Sequence, residues 1–241
     1  MSNAKIRLHL DQPLGPGQSV TLTEPQAHYL FGVMRQEIGA SVLVFNGRDG
    51  EWRAEVAEVG RRAGRLVCRA QTRAQVSLPD LWLVFAPLKK ARTDFVVEKA
   101  VELGAASIRP VQTDFTNADR VRTGRLAAHA TEAAEQIGAL AVPEVRALVT
   151  LDRLLSGWDA RRRVLWADES RVGPANVLAT TAPGPWAILI GPEGGFSDRE
   201  RARLSELPFV TPISLGPRIL RAETAAVAAL VMWQSALGDW R

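Results

Sequence analysis

The order of apolar residues along these 241 positions predicts two folds in series. A small β-barrel or sandwich occupies residues 1–76, and an α/β domain with a mainly parallel, helix-covered sheet occupies residues 77–241. Three observations carry this reading. From Ile6 to about Arg73, apolar residues alternate in short bursts between turn sequences rich in glycine. From Leu81 onward, apolar runs of strand length alternate with amphipathic stretches of helix length. Between the two regimes lies AQVSLPD, a short proline-containing segment that reads as a linker.

In the first region the bursts are SVTL, SVLVFNG, WRAEVAEV and GRLVCRA, set off by GPG, NGRDG and RRAG. This is the pattern of short strands joined by tight turns. One insertion breaks it. EPQAHYLFGVMRQEIG places Ala27, Leu30, Val33 and Met34 at helical spacing. In the second region LWLVFAPL reads as a strand, TDFVVEKAVELG as a helix stopped by glycine, ASIRPV as extended, and VRTGRLAAHATEAAEQIG as a helix. Extended segments at RRVLWAD and WAILIG follow, then a helix at SDRERARLSEL and a long helix from Arg221 to about Leu237. Near-continuous apolar strands alternating with helices are the mark of a parallel sheet, in which ligands sit at the carboxyl ends of the strands.

Composition narrows the functional classes. The hydrophobic content of 46% supports a sizeable core. No apolar run is long enough to cross a bilayer, and MSNAKIRLHLDQ carries no signal-peptide core, so a cytoplasmic location is expected. With one cysteine, Cys68, and three scattered histidines, neither a disulfide nor a metal site is expected. Cys68 reads as a small buried hydrophobe. The net charge of +4 is a mild excess, and all but four of the 30 cations are arginines. That bias suits forked phosphate contacts and base stacking, although a GC-rich coding sequence produces it equally well.

Two segments stand out as candidate sites. ILIGPEGGFSDRE runs a strand into a turn with three glycines and a proline. A glycine-rich strand-to-helix turn usually holds phosphate, but here no GK[ST] ending follows, the spacing is not GxGxxG, and Pro192 removes an amide donor. The turn therefore suits close backbone packing round a compact ligand without phosphates, or serves as a plain structural turn. The second segment, ISLGPRILRAETAAVAAL, turns at Gly216 and Pro217 and enters an alanine-rich helix near Arg221. Glu223 and Thr224 sit well in the first turn of that helix, but Arg221 is unfavourable for the dipole there and calls for another benefit.

Together, IGPEGGFSDRE and SLGPRILRAETA resemble the paired signature of the 16S ribosomal RNA uridine N(3)-methyltransferase family, within the trefoil-knot (SPOUT) superfamily that uses S-adenosylmethionine. AHYLFGVMR, LKKARTDFVVEKAVELGAASIRPV and AAEQIGALAVPEV extend the resemblance, in order, over nearly the whole chain. The resemblance implies a PUA-like RNA-binding barrel, a knotted α/β methyltransferase domain and a homodimer joined through that domain. It implies methylation of ring nitrogen 3 of a specific uridine, expected at 1498, in the 16S RNA of the 30S subunit. By motif position, Gly191, Pro192, Glu193, Gly194 and Gly195 would form one wall of the S-adenosylmethionine pocket, and Ser214, Leu215, Gly216, Ile219, Leu220 and Arg221 the other.

The reaction removes a proton whose pKa lies far above neutrality, on a base edge that must be unpaired or flipped out. Arg221 would stabilise the developing oxyanion, and Glu223 would act as base or hold Arg221 in place. An interface salt bridge and a helix N-terminal acid are their structural alternatives. RNA contacts would come from Arg35, from Lys89, Lys90 and Arg92, and from Glu135 and Gln136, although a solvated charged turn explains the cationic cluster nearly as well. Two family arginines are replaced, one by Phe115 after Asp114 and one by Ala139 after Gly138. Those replacements keep two other readings open: a knotted methyltransferase acting on another RNA or on a ribose hydroxyl, and an RNA-binding assembly factor without catalysis.

Overall fold

The computed structural model describes residues 6–118, 120–168, 178 and 183–240. They form two compact units, one running up to Ser77 and taking in Ala134–Val142, the other made of Leu78–Ala133 and the chain from Pro143 onward.

The first unit is built on five strands: β1 (Arg7–His9), β2 (Ser19–Thr21), β3 (Ser41–Phe45), β4 (Glu51–Glu58) and β5 (Arg65–Arg73). They form one curled sheet in the order β1-β3-β4-β5-β2, antiparallel except for the β1–β3 pair. Alternation drives it, because Val20, Val42, Val44, Ala54, Val56, Leu66 and Cys68 all turn inward and are fully buried. Register shifts along the β4–β5 pair add the local bends that curl the sheet into a half-barrel. Cys68 is free and buried, and burial pushes its thiol pKa up, as expected of a core residue.

The helical insertion departs from the regular helix that the sequence predicts. α1 (Glu24–Ala27) opens with a capping box between Thr23 and Gln26 and has Pro25 in its first turn. The next six residues, His28–Val33, form a π-turn closed by Met34 N–H on the Tyr29 carbonyl. The extra residue in that turn shifts the apolar face, so Leu30 is buried but Val33 and Met34 are exposed. Gly32 permits it, since a β-carbon there would lie 3.0 Å from His28 Nδ1.

The second unit follows a βα pattern. Its strands are β6 (Leu81–Phe85), β7 (Ser107–Gln112), β8 (Glu144–Val145), β9 (Val149–Thr150), β10 (Arg163–Ala167), β11 (Trp186–Ile190) and β12 (Val210–Ile213). Its helices are α2 (Lys90–Glu102), α3 (Thr123–Ile137), which ends in the first unit, α4 (Leu151–Ser156), α5 (Asp198–Ser205) and α6 (Ala222–Leu237). All the strand pairs are parallel, in the order β12-β10-β11-β6-β7-β8, with β9 also on β7. On one side of the β6–β11 boundary β6, β7 and β8 run outward in chain order, while on the other β11 and β12 flank β10, which brings the carboxyl ends of these three strands together. β11 is buried at every position, as a central parallel strand requires. Behind it Trp166 and Phe196 meet edge to face at 5.7 Å, anchoring the turn that follows β11.

Candidate functional site

The carboxyl ends of β10, β11 and β12 open on a cavity of about 700 Å³. Every residue that the two motifs nominate lines it: Gly191 through Gly195 on one side, and Ser214, Leu215, Gly216, Ile219, Leu220 and Arg221 on the other. Ala167, Asp168, Ile190, Pro217, Arg218, Ala222 and Ala225 complete the lining.

Each wall has a local cause. Gly195 N–H donates to the Pro192 carbonyl at 3.0 Å, closing a turn whose last residue has φ +68°, a region that favours glycine. Gly191 packs on Phe196, where a β-carbon would come within 2.7 Å of the ring. Gly194 faces Phe115, whose β-carbon would lie 3.2 Å away. In the second wall the Ser214 hydroxyl accepts from Gly216 N–H at 3.3 Å, and Gly216 has φ +108°. Ser197 and Glu200 then form a capping box that starts α5 immediately after the first wall.

The loop after β7 is tied to that helix start. Asp114 N–H donates to Glu200 Oε1 at 2.9 Å, and the Asp114 carboxylate accepts from the Ser197 hydroxyl and, at 2.9 Å, from Arg199 Nη2. Those two donors hold the Asp114 carboxyl below its usual pKa. Phe115 is thereby fixed against Gly194 with about half its surface exposed.

Charge enters the cavity sparingly. Arg92, in the first turn of α2, donates to Glu193 Oε1 at 2.8 Å and lies 3.6 Å from Glu223 Oε1. Glu223, which the sequence reading offers as the base or as the group that holds Arg221 in place, lies beside Arg92, and it stands outside the cavity lining with its Oε2 buried and unpartnered. Arg221 is the N-cap of α6, lines the cavity and is exposed, with no side-chain hydrogen bond or ion pair among the described residues. Asp168, which no motif pointed to, is 3% exposed at the end of β10 and pairs with Arg201. Only strand-end position could have flagged it.

The remaining nominated residues fall elsewhere. Lys89 and Lys90 line a second cleft of about 510 Å³ in the same unit, separate from Arg92. Arg35, in the first unit, is an exposed residue with φ +51°, rare for a side chain of that size. Glu135 and Gln136 also belong to the first unit. Glu135 Oε1 accepts from His9 N–H at 2.9 Å, while Gln136 is exposed. There Arg7 donates to the carbonyls of Ala134, Glu135 and Ala139, and Arg73 to that of Gly138. Guanidinium groups from β1 and β5 thus reach the turn that contains Gly138 and Ala139.

Among the described residues no cluster of His, Cys, Asp and Glu could hold a metal ion, and no helix is long and apolar enough to cross a membrane. Without a lysine in its lining, and with backbone and apolar atoms predominating, the cavity suits an adenosyl ligand better than a nucleotide. Its size falls within the roughly 300–1,000 Å³ of small-molecule sites.

Comparison with known proteins agrees with this geometry. Residues 76–234 match the model of an RNA methyltransferase domain, and residues 22–67 that of an RNA methyltransferase PUA domain. The ribosomal RNA small subunit methyltransferase E of Rickettsia conorii is 28% identical over 228 residues, covering 93% of each chain. Its namesake from Neisseria gonorrhoeae, whose crystal structure has S-adenosyl methionine bound, superposes with a TM-score of 0.89 at 26% identity, covering 98% of this chain and 99% of that one. A methyltransferase of Legionella pneumophila in complex with the cofactor gives 0.84 at 29% identity, covering 97% and 98%. The fold is a PUA-like barrel domain followed by a knotted, SPOUT-like α/β domain. A domain match spanning most of the chain, on a parallel sheet with its cavity at the strand ends, makes this protein a member of the RNA methyltransferase family.

Proposed function

We propose that this protein uses S-adenosylmethionine to methylate ring nitrogen 3 of a uridine, position 1498, in the 16S RNA of the small ribosomal subunit. The observation that carries the reading is the convergence of both glycine-containing loops on one cavity with a free guanidinium at its edge. The cofactor supplies an electrophilic methyl carbon on a sulfonium.

The turn from Gly191 to Gly195 and the segment from Ser214 to Leu220 hold the adenosyl and methionine parts by backbone and apolar contact, and Asp168 and Glu193 supply negative charge suited to a cationic ligand. Arg221 faces the uracil. As N3 gives up its proton to a solvent base, negative charge develops on the flanking carbonyl oxygens, and an unpaired guanidinium at a helix start is preorganised to stabilise it. Glu223 is a positioning residue that, with Glu193, holds Arg92 beside the cavity. Bound S-adenosylmethionine would give its methyl carbon to N3 and leave as the neutral thioether, so the residues at the cavity mouth, Arg221 among them, would have to hold the uracil with N3 facing that carbon.

The first unit recruits the RNA, with the π-turn and Arg35 as its contact region. Two copies assemble through the α/β domain, a reading supported by Ile219, which lines the cavity yet is 87% exposed in the single chain. The enzyme works in the cytoplasm, where its substrate is made.

The test is methyl transfer from labelled S-adenosylmethionine to 30S subunits and to free 16S RNA from a strain lacking the equivalent enzyme. Labelled 3-methyluridine is the expected product. Label on another nucleoside would overturn the assignment of the base, and cofactor binding without transfer would overturn the reaction.

A further inference from the structure

A second cleft lies in the α/β unit, and its chemistry is the opposite of the first. Lys89, Lys90, Arg120, Arg122 and Arg125 line it, with no carboxylate among its described lining residues. Its volume is about 510 Å³. Arg125 is held in place by a forked pair with Asp94, at 2.7 and 2.8 Å. Lys89, Lys90, Arg120 and Arg122 make no ion pair or side-chain hydrogen bond among the described residues.

Like charges gathered together repel one another, and their placement adds to the conflict. Lys89 is the N-cap of α2 and Lys90 its first residue, with no acid in the first turn. The first turn of α3 likewise has no acid, and Arg122 immediately precedes it. Both helices thus present cations at the end where the backbone already carries positive charge and where an anion is stabilising. The Thr93 hydroxyl, bonded to both Leu88 N–H and Leu88 C=O at 2.9 Å, fixes the backbone just before α2. Among the described residues, Asp94 is the carboxylate paired with a cation of this cleft, and it is taken up by Arg125.

We infer that this cleft binds a backbone phosphodiester of the substrate RNA. A phosphate there would be gripped by Lys89, Lys90, Arg120 and Arg122 and by the free amides that begin α2. Arg92, two residues after Lys90, reaches the cofactor cavity through Glu193, so one helix start links the phosphate site to the site of methyl transfer. The cleft would act as a register stop, fixing one nucleotide so that a neighbour enters the cavity; contacts to phosphate position an RNA without reading its sequence. The inference rests on the reading of this protein as an RNA methyltransferase.

The test compares wild type with Lys89→Gln/Arg122→Gln in binding free 16S RNA between about 50 and 200 mM salt. A second pair, Arg146→Gln/Arg161→Gln, removes the same charge from outside the cleft. The cleft pair should weaken binding roughly tenfold at low salt and lower the salt slope by about 1.4 to 1.8, as expected for two lost phosphate contacts. The KM for RNA should rise while affinity for S-adenosylmethionine, measured by calorimetry, holds. An RNA affinity no lower than that of the control pair would overturn the inference. Phosphate binding measured with inorganic phosphate alone and lost in the variant, with RNA affinity unchanged, would assign the cleft to a small free anion instead.

If the cleft pair also loses cofactor binding, the charge-preserving pair Lys89→Arg/Arg122→Lys decides: retained RNA affinity supports the phosphate site, and lost affinity overturns it. A wild-type protein that binds 16S RNA with this salt dependence but transfers no methyl group would defeat the proposed reaction and leave the cleft standing.

Discussion

The two clefts of the α/β unit solve different recognition problems with the same architecture. Both lie where strands end and helices begin. The cofactor cavity, at the ends of β10, β11 and β12, is walled by glycine, proline and apolar side chains, and its charged groups are paired or held at the edge. The basic cleft, between β6 and the starts of α2 and α3, gathers five cations, of which Arg125 alone is paired among the described residues. The first gains selectivity from shape, because a ligand without phosphates offers little to a helix dipole. The second gains affinity from charge, which does not discriminate among phosphates.

That contrast can be broken at several points. The largest effect is expected behind the first wall. Phe196→Ala removes the ring that supports Gly191 and meets Trp166, and should destabilise the protein by about 3–5 kcal/mol in urea unfolding while weakening cofactor binding. A loss below about 1 kcal/mol would show that the wall does not depend on this packing. Next in size, Arg221→Ala should lower kcat for methyl transfer about 10²- to 10³-fold, on the scale of one lost oxyanion donor. A full rate in single-turnover transfer to 30S subunits would remove Arg221 from the chemistry.

Gly195→Ala tests shape more gently. A side chain at φ +68° costs about 1–2 kcal/mol, which should appear as weaker S-adenosylmethionine binding in calorimetry without a comparable loss of RNA affinity. The smallest effect belongs to the basic cleft. The hydrogen bond from Arg125 holds the Asp94 carboxyl below its usual pKa. A depressed carboxyl adds stability that is fully present above the unfolded value near pH 4 and is lost as pH falls through the lower folded value. Wild type should therefore exceed Arg125→Gln in stability by at most about 1 kcal/mol at neutral pH, with the gap closing below about pH 4. A gap unchanged at pH 3 would show that the pair contributes nothing through charge.

Legibility in the sequence follows the same division. Strands β2 to β7, β10 and β11 were readable because burial on one or both faces writes period two or a continuous apolar run into the chain, whereas the three-residue β1 and the partly buried β12 carry too little of either pattern. β8 and β9, two residues each, are too short to carry any period. The six-residue α4 was missed for the same reason, with its single Thr150 cap as the available signal. The π-turn at His28–Val33 was read as ordinary helix because Ala27 and Leu30 fit either period, and the steric demand at Gly32 depends on where the His28 ring lies.

In the site, both walls of the cavity were readable because each is a contiguous loop that needs glycine and proline at fixed places. Asp168 was not, because nothing local marks a buried acid whose partner, Arg201, lies 33 residues away. The partner of Glu223 was not legible for a related reason. Arg221 is its neighbour in sequence, but Arg92 is its neighbour in space.

The sequence by itself therefore determined the two-part architecture, the parallel sheet, both loops of the cavity and the kinship they carry, since each is specified by short-range pattern or backbone conformation. Tertiary structure alone decided which charges meet. It gave Arg92 to Glu193 and Glu223, left Arg221 free, and gathered Lys89 and Lys90 with Arg120 and Arg122 into one cleft. Charges act through distance in space, and a parallel sheet brings together strand ends that the chain keeps far apart.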